Sequence, residues 1–190
     1  GCGSEADNHA IFGALELEEA RRRASGASAA KSPLPHVVAS NIEHPAIEKC
    51  LDALKAAGRL DVSYVPVDNE GRVSAEAIGD ACTKHTILVS VMHSNNEVGS
   101  LQPVAEIVEA ARRANPAILV HTDAAQSIGK VEVDVEKLGV SMMTIVGHKF
   151  GAPKGVAALY IRDGLALPKL LHGGGQEGGR RAGTECVVML

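Results

Sequence analysis

Three apolar runs of strand length constrain this chain most: TILVSVM at 86–92, AILVHTD at 117–123 and SMMTIVG at 141–147. Each is apolar at consecutive positions and so must be covered on both faces, which calls for helices above and below a largely parallel sheet. Helical patterns fill the intervals. PAIEKCLDALKAAG (45–58) places Pro45 at a first helical position and closes at Gly58. SAEAIGDAC (74–82) carries Ser74 as its cap, and PVAEIVEAARRA (103–114) is amphipathic. Ahead of them the pattern predicts a helix over 5–24, capped by Ser4, with Asp7 in its first turn and Arg21, Arg22 and Arg23 near the end that the dipole favours. Shorter strands are expected at 36–40, 62–67 and 156–161, and SGASAAKSPLP (25–35) as a surface loop. The expected fold class is α/β, a three-layer α/β/α sandwich on a mostly parallel sheet.

Composition narrows the partners. Aromatics are 2% of the 190 residues, so stacking platforms for nucleic acid are scarce, and a net charge of −4 with no basic run argues against a polyanion. No apolar stretch approaches the roughly 18 residues that would span a bilayer. Cys2, Cys50, Cys82 and Cys186 are scattered without metal-ligand spacing. That predicts no metal site and a reducing compartment, cytoplasmic by default, with a mitochondrial or plastid address left open. The chain opens on Gly1 inside what reads as a loop. It is therefore expected to be one large domain over 1–190, incomplete at both ends.

In open α/β sheets ligands bind beyond the carboxyl ends of the strands, where the polar residues of this sequence gather. After 86–92 come His93, Ser94, Asn95, Asn96 and Glu97; after 117–123, whose last residue is Asp123, comes Gln126; after 141–147 come His148 and Lys149. A neutral lysine amine can form a Schiff base with an aldehyde. The aldehyde cofactor that uses a lysine, a carboxylate on a pyridinium nitrogen and a phosphate cradle is pyridoxal 5'-phosphate. Asp123 supplies the carboxylate, and Gly1-Cys2-Gly3-Ser4, opening a helix, supplies the cradle. Each residue taken alone has a plainer reading. Lys149 is then a snorkelling surface lysine, Asp123 and His44 helix caps, Gln126 a solvated helix residue, Asn96 a turn former and Thr184 part of a Gly-Thr turn.

EHPAI, SVMHSNNEVGSLQPV, HTDAAQSIGK, TIVGHKF, GVAALYI and HGGGQEGGRRAGTE, in this order, resemble the class V aminotransferase group, specifically cysteine desulfurases and, most closely, selenocysteine lyases. The resemblance implies the large domain of a pyridoxal-phosphate transferase of fold type I. Lys149 would be the cofactor-bearing lysine and proton carrier, Asp123 the partner of the ring nitrogen, Gln126 a donor to the phenolic oxygen and His44 the histidine stacked on the ring. Asn96 would lie near the substrate, and Ser4 and His148 on the phosphate. Thr184 would reach the phosphate of a neighbouring subunit, which implies a homodimer. The implied reaction releases selenide from L-selenocysteine, or sulfur from L-cysteine, and leaves L-alanine, with a selenium or sulfur acceptor protein as a further partner.

Departures bear on the branch. Val146 stands where desulfurases commonly carry Ser, the cradle reads GCGSE, and Gly178 replaces an Arg. The family's acceptor cysteine, its carboxylate-binding arginine and the small domain are expected beyond Leu190. Three rival readings arise: an inactive scaffold that retains the cofactor and a nucleotide-binding α/β domain stay open, while a hydrolase using HGGG at 172–175 fails. The second lacks a G-x-G-x-x-G or Walker run, and the third lacks a G-x-S-x-G elbow.

Overall fold

A computed structural model describes residues 1–26 and 32–186. Six five-residue strands form one sheet: β1 (His36–Ser40), β2 (Asp61–Val65), β3 (Thr86–Ser90), β4 (Leu119–Asp123), β5 (Met142–Val146) and β6 (Ala157–Ile161). Their order is β2-β1-β3-β4-β5-β6, parallel throughout except that β6 runs antiparallel to β5. The order reverses between β1 and β3, and a crevice at such a point is where sheets of this type take ligands.

Side chains alternate across the sheet and divide the core in two. Val37, Ala39, Leu88 and Met142 pack with Ala10, Ile11, Ala14 and Leu15 of α1 (Gly3–Ala24) and with Ile47 and Leu51 of α2 (Pro45–Ala56). On the opposite face Val38, Val89, Val120 and Met143 pack with Ile78 of α3 (Ala75–Ala81) and with Ile107, Val108 and Ala111 of α4 (Val104–Ala114). The three expected layers are present. Each fully buried Leu or Ile contributes about 1.5–3 kcal/mol, so this aliphatic core needs no aromatic filling.

Element ends depart from the sequence reading where hydrogen bonding intervenes. Ser4 does not cap α1: the helix starts at Gly3 with Cys2 at the cap position and no side-chain cap bond. The chain leaves β2 at Val65, before Pro66, which has no N–H for a strand ladder. Ser74 does cap α3, accepting from the Ala77 N–H at 3.2 Å. A one-turn helix, α5 (Val135–Leu138), capped by Asp134, was not anticipated. Of the expected loop over 25–35, residues 27–31 lie outside the described residues, as do 187–190 of the expected domain. Among the described residues no helix is long and apolar enough to cross a membrane.

Candidate active site

At the carboxyl end of the sheet the loops after β1, β3, β4 and β5 meet the start of α1 around a cavity of about 340 Å³. Its lining includes Ser4, His44, Asn96, Asp123, Gln126, His148 and Lys149, seven of the eight nominated residues. Thr184 is not brought to it and is exposed on the segment after Arg181.

Local structure explains each position. His44 caps α2, its Nδ1 accepting from the Ala46 N–H at 3.1 Å, and this fixes the ring at the cavity wall. The turn expected of Asn96 is made by Asn95 instead. The buried Asn95 Oδ1 accepts from the N–H groups of Glu97 and Val98 at 2.9 and 3.0 Å, which leaves Asn96 exposed at the rim. Gln126 Oε1 accepts from Lys130 Nζ at 3.0 Å, so its NH₂ is the group left to donate. Beyond β5 the chain turns at Gly147, where a Cβ would stand 2.7 Å from Val156 Cγ1. The 3₁₀ turn Gly147–Lys149 presents His148 and Lys149 exposed, and no hydrogen bond or ion pair among the described residues engages the Lys149 amine.

Asp123 is 7% exposed, and its Oδ1 accepts from the Ala125 N–H at 2.9 Å. This is a turn, not the expected helix cap, because residues 125–130 form turns and no helix opens there. Burial pushes its carboxyl above the ordinary range, while the Ala125 bond and the charges of His44 and Lys149 draw it back. A cationic ring nitrogen supplied to the cavity would complete that compensation.

The opposite wall is the start of α1. Ala6 N–H is the first to bond within the helix, to Cys2 O at 3.1 Å, so the N–H groups of Gly3, Ser4 and Glu5 have no intrahelical acceptor. Gly3 packs against the end of β5 so closely that a Cβ would lie 2.7 Å from Val146 Cγ2. Unused donors, a hydroxyl and a positive helix end at one cavity wall fit a phosphate. Arg181 secures this wall through Nε and Nη2 to both oxygens of Glu5, at 2.7 and 3.1 Å, and that pairing holds the Glu5 carboxyl below its usual range.

The sequence reading missed the buried floor. Asp7, 2% exposed, lines the cavity, and its Oδ1 has no hydrogen-bond partner. Burial, with Asp123 and Glu43 adding repulsion, pushes its carboxyl up to about 8. Beneath it a bonded row crosses three strands, with His121 Nδ1 2.9 Å from Ser90 Oγ and His121 Nε2 3.0 Å from Thr144 Oγ1. His121 Nε2 is 3.8 Å from Asp7 Oδ1, yet burial drives the ring down to about 3, so the imidazole is neutral and this approach is no ion pair. Glu43, buried, accepts from Ser40 Oγ and, with both oxygens at 3.0 Å, from the Met92 N–H; burial outweighs those bonds and raises it to about 8. The available signal for Asp7 was its place on the apolar stripe with Ala10, Ile11 and Ala14.

Three larger cavities among the described residues, of about 590, 710 and 550 Å³, lie at the amino ends of β3 and β4, against β6, and beside the starts of α3 and α4. None of their linings contains Lys149 or Asp123.

A lysine and a buried carboxylate on adjacent strand ends, facing a helix start able to hold a phosphate, define an α/β domain of the pyridoxal-phosphate-dependent class. The aminotransferase class-V family matches residues 24–185, and this chain belongs to that family, which depends on pyridoxal phosphate. The cysteine desulfurase IscS of Clostridium botulinum is 46% identical over 183 residues, covering 96% of this chain and 42% of that protein. The selenocysteine lyase of Xenopus tropicalis is 41% identical over 201 residues, covering 99% and 46%. A solved NifS-like protein superposes with a TM-score of 0.88 at 38% identity, covering 99% of this chain and 48% of that one. The chain thus spans less than half the length of these relatives. They are desulfurases at least as much as lyases, so the motif-based preference for the selenocysteine branch is not reinforced.

Proposed function

We propose that the protein releases sulfur or selenium from L-cysteine or L-selenocysteine, leaving L-alanine, with this chain supplying the cofactor half of the site. One observation carries the reading: Lys149 and the buried Asp123 line the same 340 Å³ cavity as the donor-rich start of α1. When bound, pyridoxal phosphate supplies the electron sink for the reaction. Asp123 holds the ring nitrogen in its protonated form, Gln126 donates to the phenolic oxygen, and His44 packs on the ring. Ser4, the first N–H groups of α1 and His148 hold the phosphate. Lys149 would hold the cofactor covalently through Nζ and, once its amine is free, would take the substrate's α-proton at Nζ and return it. Proton transfer by a positioned base is worth roughly 10²- to 10⁴-fold in rate. Asn96, at the rim, orients the substrate. Thr184, exposed and away from this cavity, serves the phosphate of a second subunit, so the working form is a homodimer. The four free cysteines fit a reducing compartment such as the cytoplasm.

The relatives favour cysteine as substrate, whereas Val146, which lines the cavity without a hydroxyl, favours a restriction to selenocysteine. The test is alanine formation by the full-length, cofactor-loaded protein with each substrate, alongside Lys149→Ala. Alanine from either substrate, abolished by the substitution, is expected. Cofactor retention with no alanine from either would instead identify a scaffold.

A further inference from the structure

We propose that Asp7 is a positioning residue that stands as a neutral acid beside Asp123, steadying the Asp123 carboxylate and confining the negative charge of the cavity floor to that one group. The inference rests on the reading of Asp123 as the partner of the ring nitrogen.

Asp7 lines the cofactor cavity at 2% exposure, and its Oδ1 accepts no hydrogen bond. A carboxylate oxygen buried without a donor is strongly disfavoured, whereas a protonated carboxyl there needs no countercharge. The structure offers Asp7 no countercharge. The groups facing it are Asp123 and His121 from β4, Glu43 from the loop after β1, Cys50 of α2 and the Thr144 hydroxyl of β5, whose single hydrogen bond favours the charged form but does not offset burial. His121, wholly buried with each ring nitrogen on a hydroxyl, is not a cation. The positive groups in the cavity, His44 and Lys149, act on Asp123. Two neighbouring carboxyls in such a site hold one proton between them, and the group nearer the cations ionises. A singly charged ring nitrogen is then matched by a single carboxylate. Burial, which raises the Asp7 carboxyl to about 8, agrees with this assignment.

The test compares Asp7→Asn, Asp7→Ala and Asp123→Ala in the full-length protein through the apparent dissociation constant for pyridoxal phosphate at pH 7 and the infrared spectrum of the holoprotein. An amide reproduces a neutral carboxyl, so Asp7→Asn should bind the cofactor within about twofold of the parent, while Asp7→Ala, leaving Asp123 without its neighbour, should bind about tenfold more weakly. The parent should show carbonyl absorption of protonated carboxylic acids, and Asp7→Asn should lose one component of it while that of the buried Glu43 remains. Asparagine weakening binding as much as alanine, alanine having no effect, or no protonated-acid band lost in Asp7→Asn would each overturn the proposal. Should Asp7→Ala fail to fold, Asp7→Asn and its infrared spectrum still decide. If Asp123→Ala binds the cofactor as tightly as the parent, the reading of Asp123 itself fails; if only the Asp7 results go against expectation, that reading stands and the inference alone falls.

Discussion

Replacing His121 with phenylalanine tests the buried floor through its pH dependence. The imidazole is wholly buried, bonded to Ser90 Oγ at 2.9 Å and to Thr144 Oγ1 at 3.0 Å, and burial lowers its pKa to about 3. The folded value lies below the ordinary one of about 6.5, so the unfolded chain takes up a proton that the folded one refuses. Stability from this group is therefore complete above about pH 6.5 and is lost as the pH falls toward 3. At about 1.36 kcal/mol per pH unit, acidification from pH 7 to pH 4 removes about 3 kcal/mol. His121→Phe keeps the bulk, abolishes the titration and strips two hydroxyls of their partner, at about 1–3 kcal/mol each. Urea unfolding of the full-length apoprotein should show the variant about 2–6 kcal/mol less stable at pH 7, with the gap narrowed by about 3 kcal/mol at pH 4. Asp7, Glu43 and Asp123 titrate in both proteins and cancel to first order. A gap of equal size at both pH values would refute the neutral buried ring.

Gly3→Ala puts a methyl 2.7 Å from Val146 Cγ2, an overpacking that costs about 1–3 kcal/mol and displaces the phosphate wall. Cofactor affinity should fall, as read by absorbance titration, and recover in Gly3→Ala/Val146→Ala, where the clashing methyl is gone. Arg181→Ala removes a part-exposed ion pair worth about 1 kcal/mol or less, so thermal stability should barely move. Limited proteolysis should nevertheless cut the segment around residue 181 faster, because Glu5 no longer holds it to α1.

The sheet was legible because its strands are apolar on both faces, and the chemistry was legible where those runs stop abruptly at Asp123 and Gly147-His148-Lys149. Boundaries slipped for local reasons. The run from Ala117 begins with a turn, in which Ile118 N–H bonds Asn115 O at 3.0 Å, and β4 starts only at Leu119. α5 has a single turn, too short to show a period. Asp7 was hidden because the sequence put it in a first helical turn, where an acid satisfies the dipole; the helix in fact starts at Gly3, Glu5 takes that turn, and Asp7 falls on the buried stripe behind it. Asn96 and Asn95 carry the same side chain at neighbouring positions, and only the backbone path shows that the second makes the turn. Thr184 lies on an exposed segment outside the cavity, a placement that no local sequence signal foretold.

The most direct measurement of the central claim is chemical fixation of the cofactor: reduce the full-length protein loaded with pyridoxal phosphate with borohydride, digest it and locate the modified lysine by mass spectrometry. The account predicts the pyridoxyl group on the peptide holding Gly147-His148-Lys149, at Lys149, with loss of labelling in Lys149→Ala. Labelling at a different lysine, or equal labelling of the substituted protein, would contradict it.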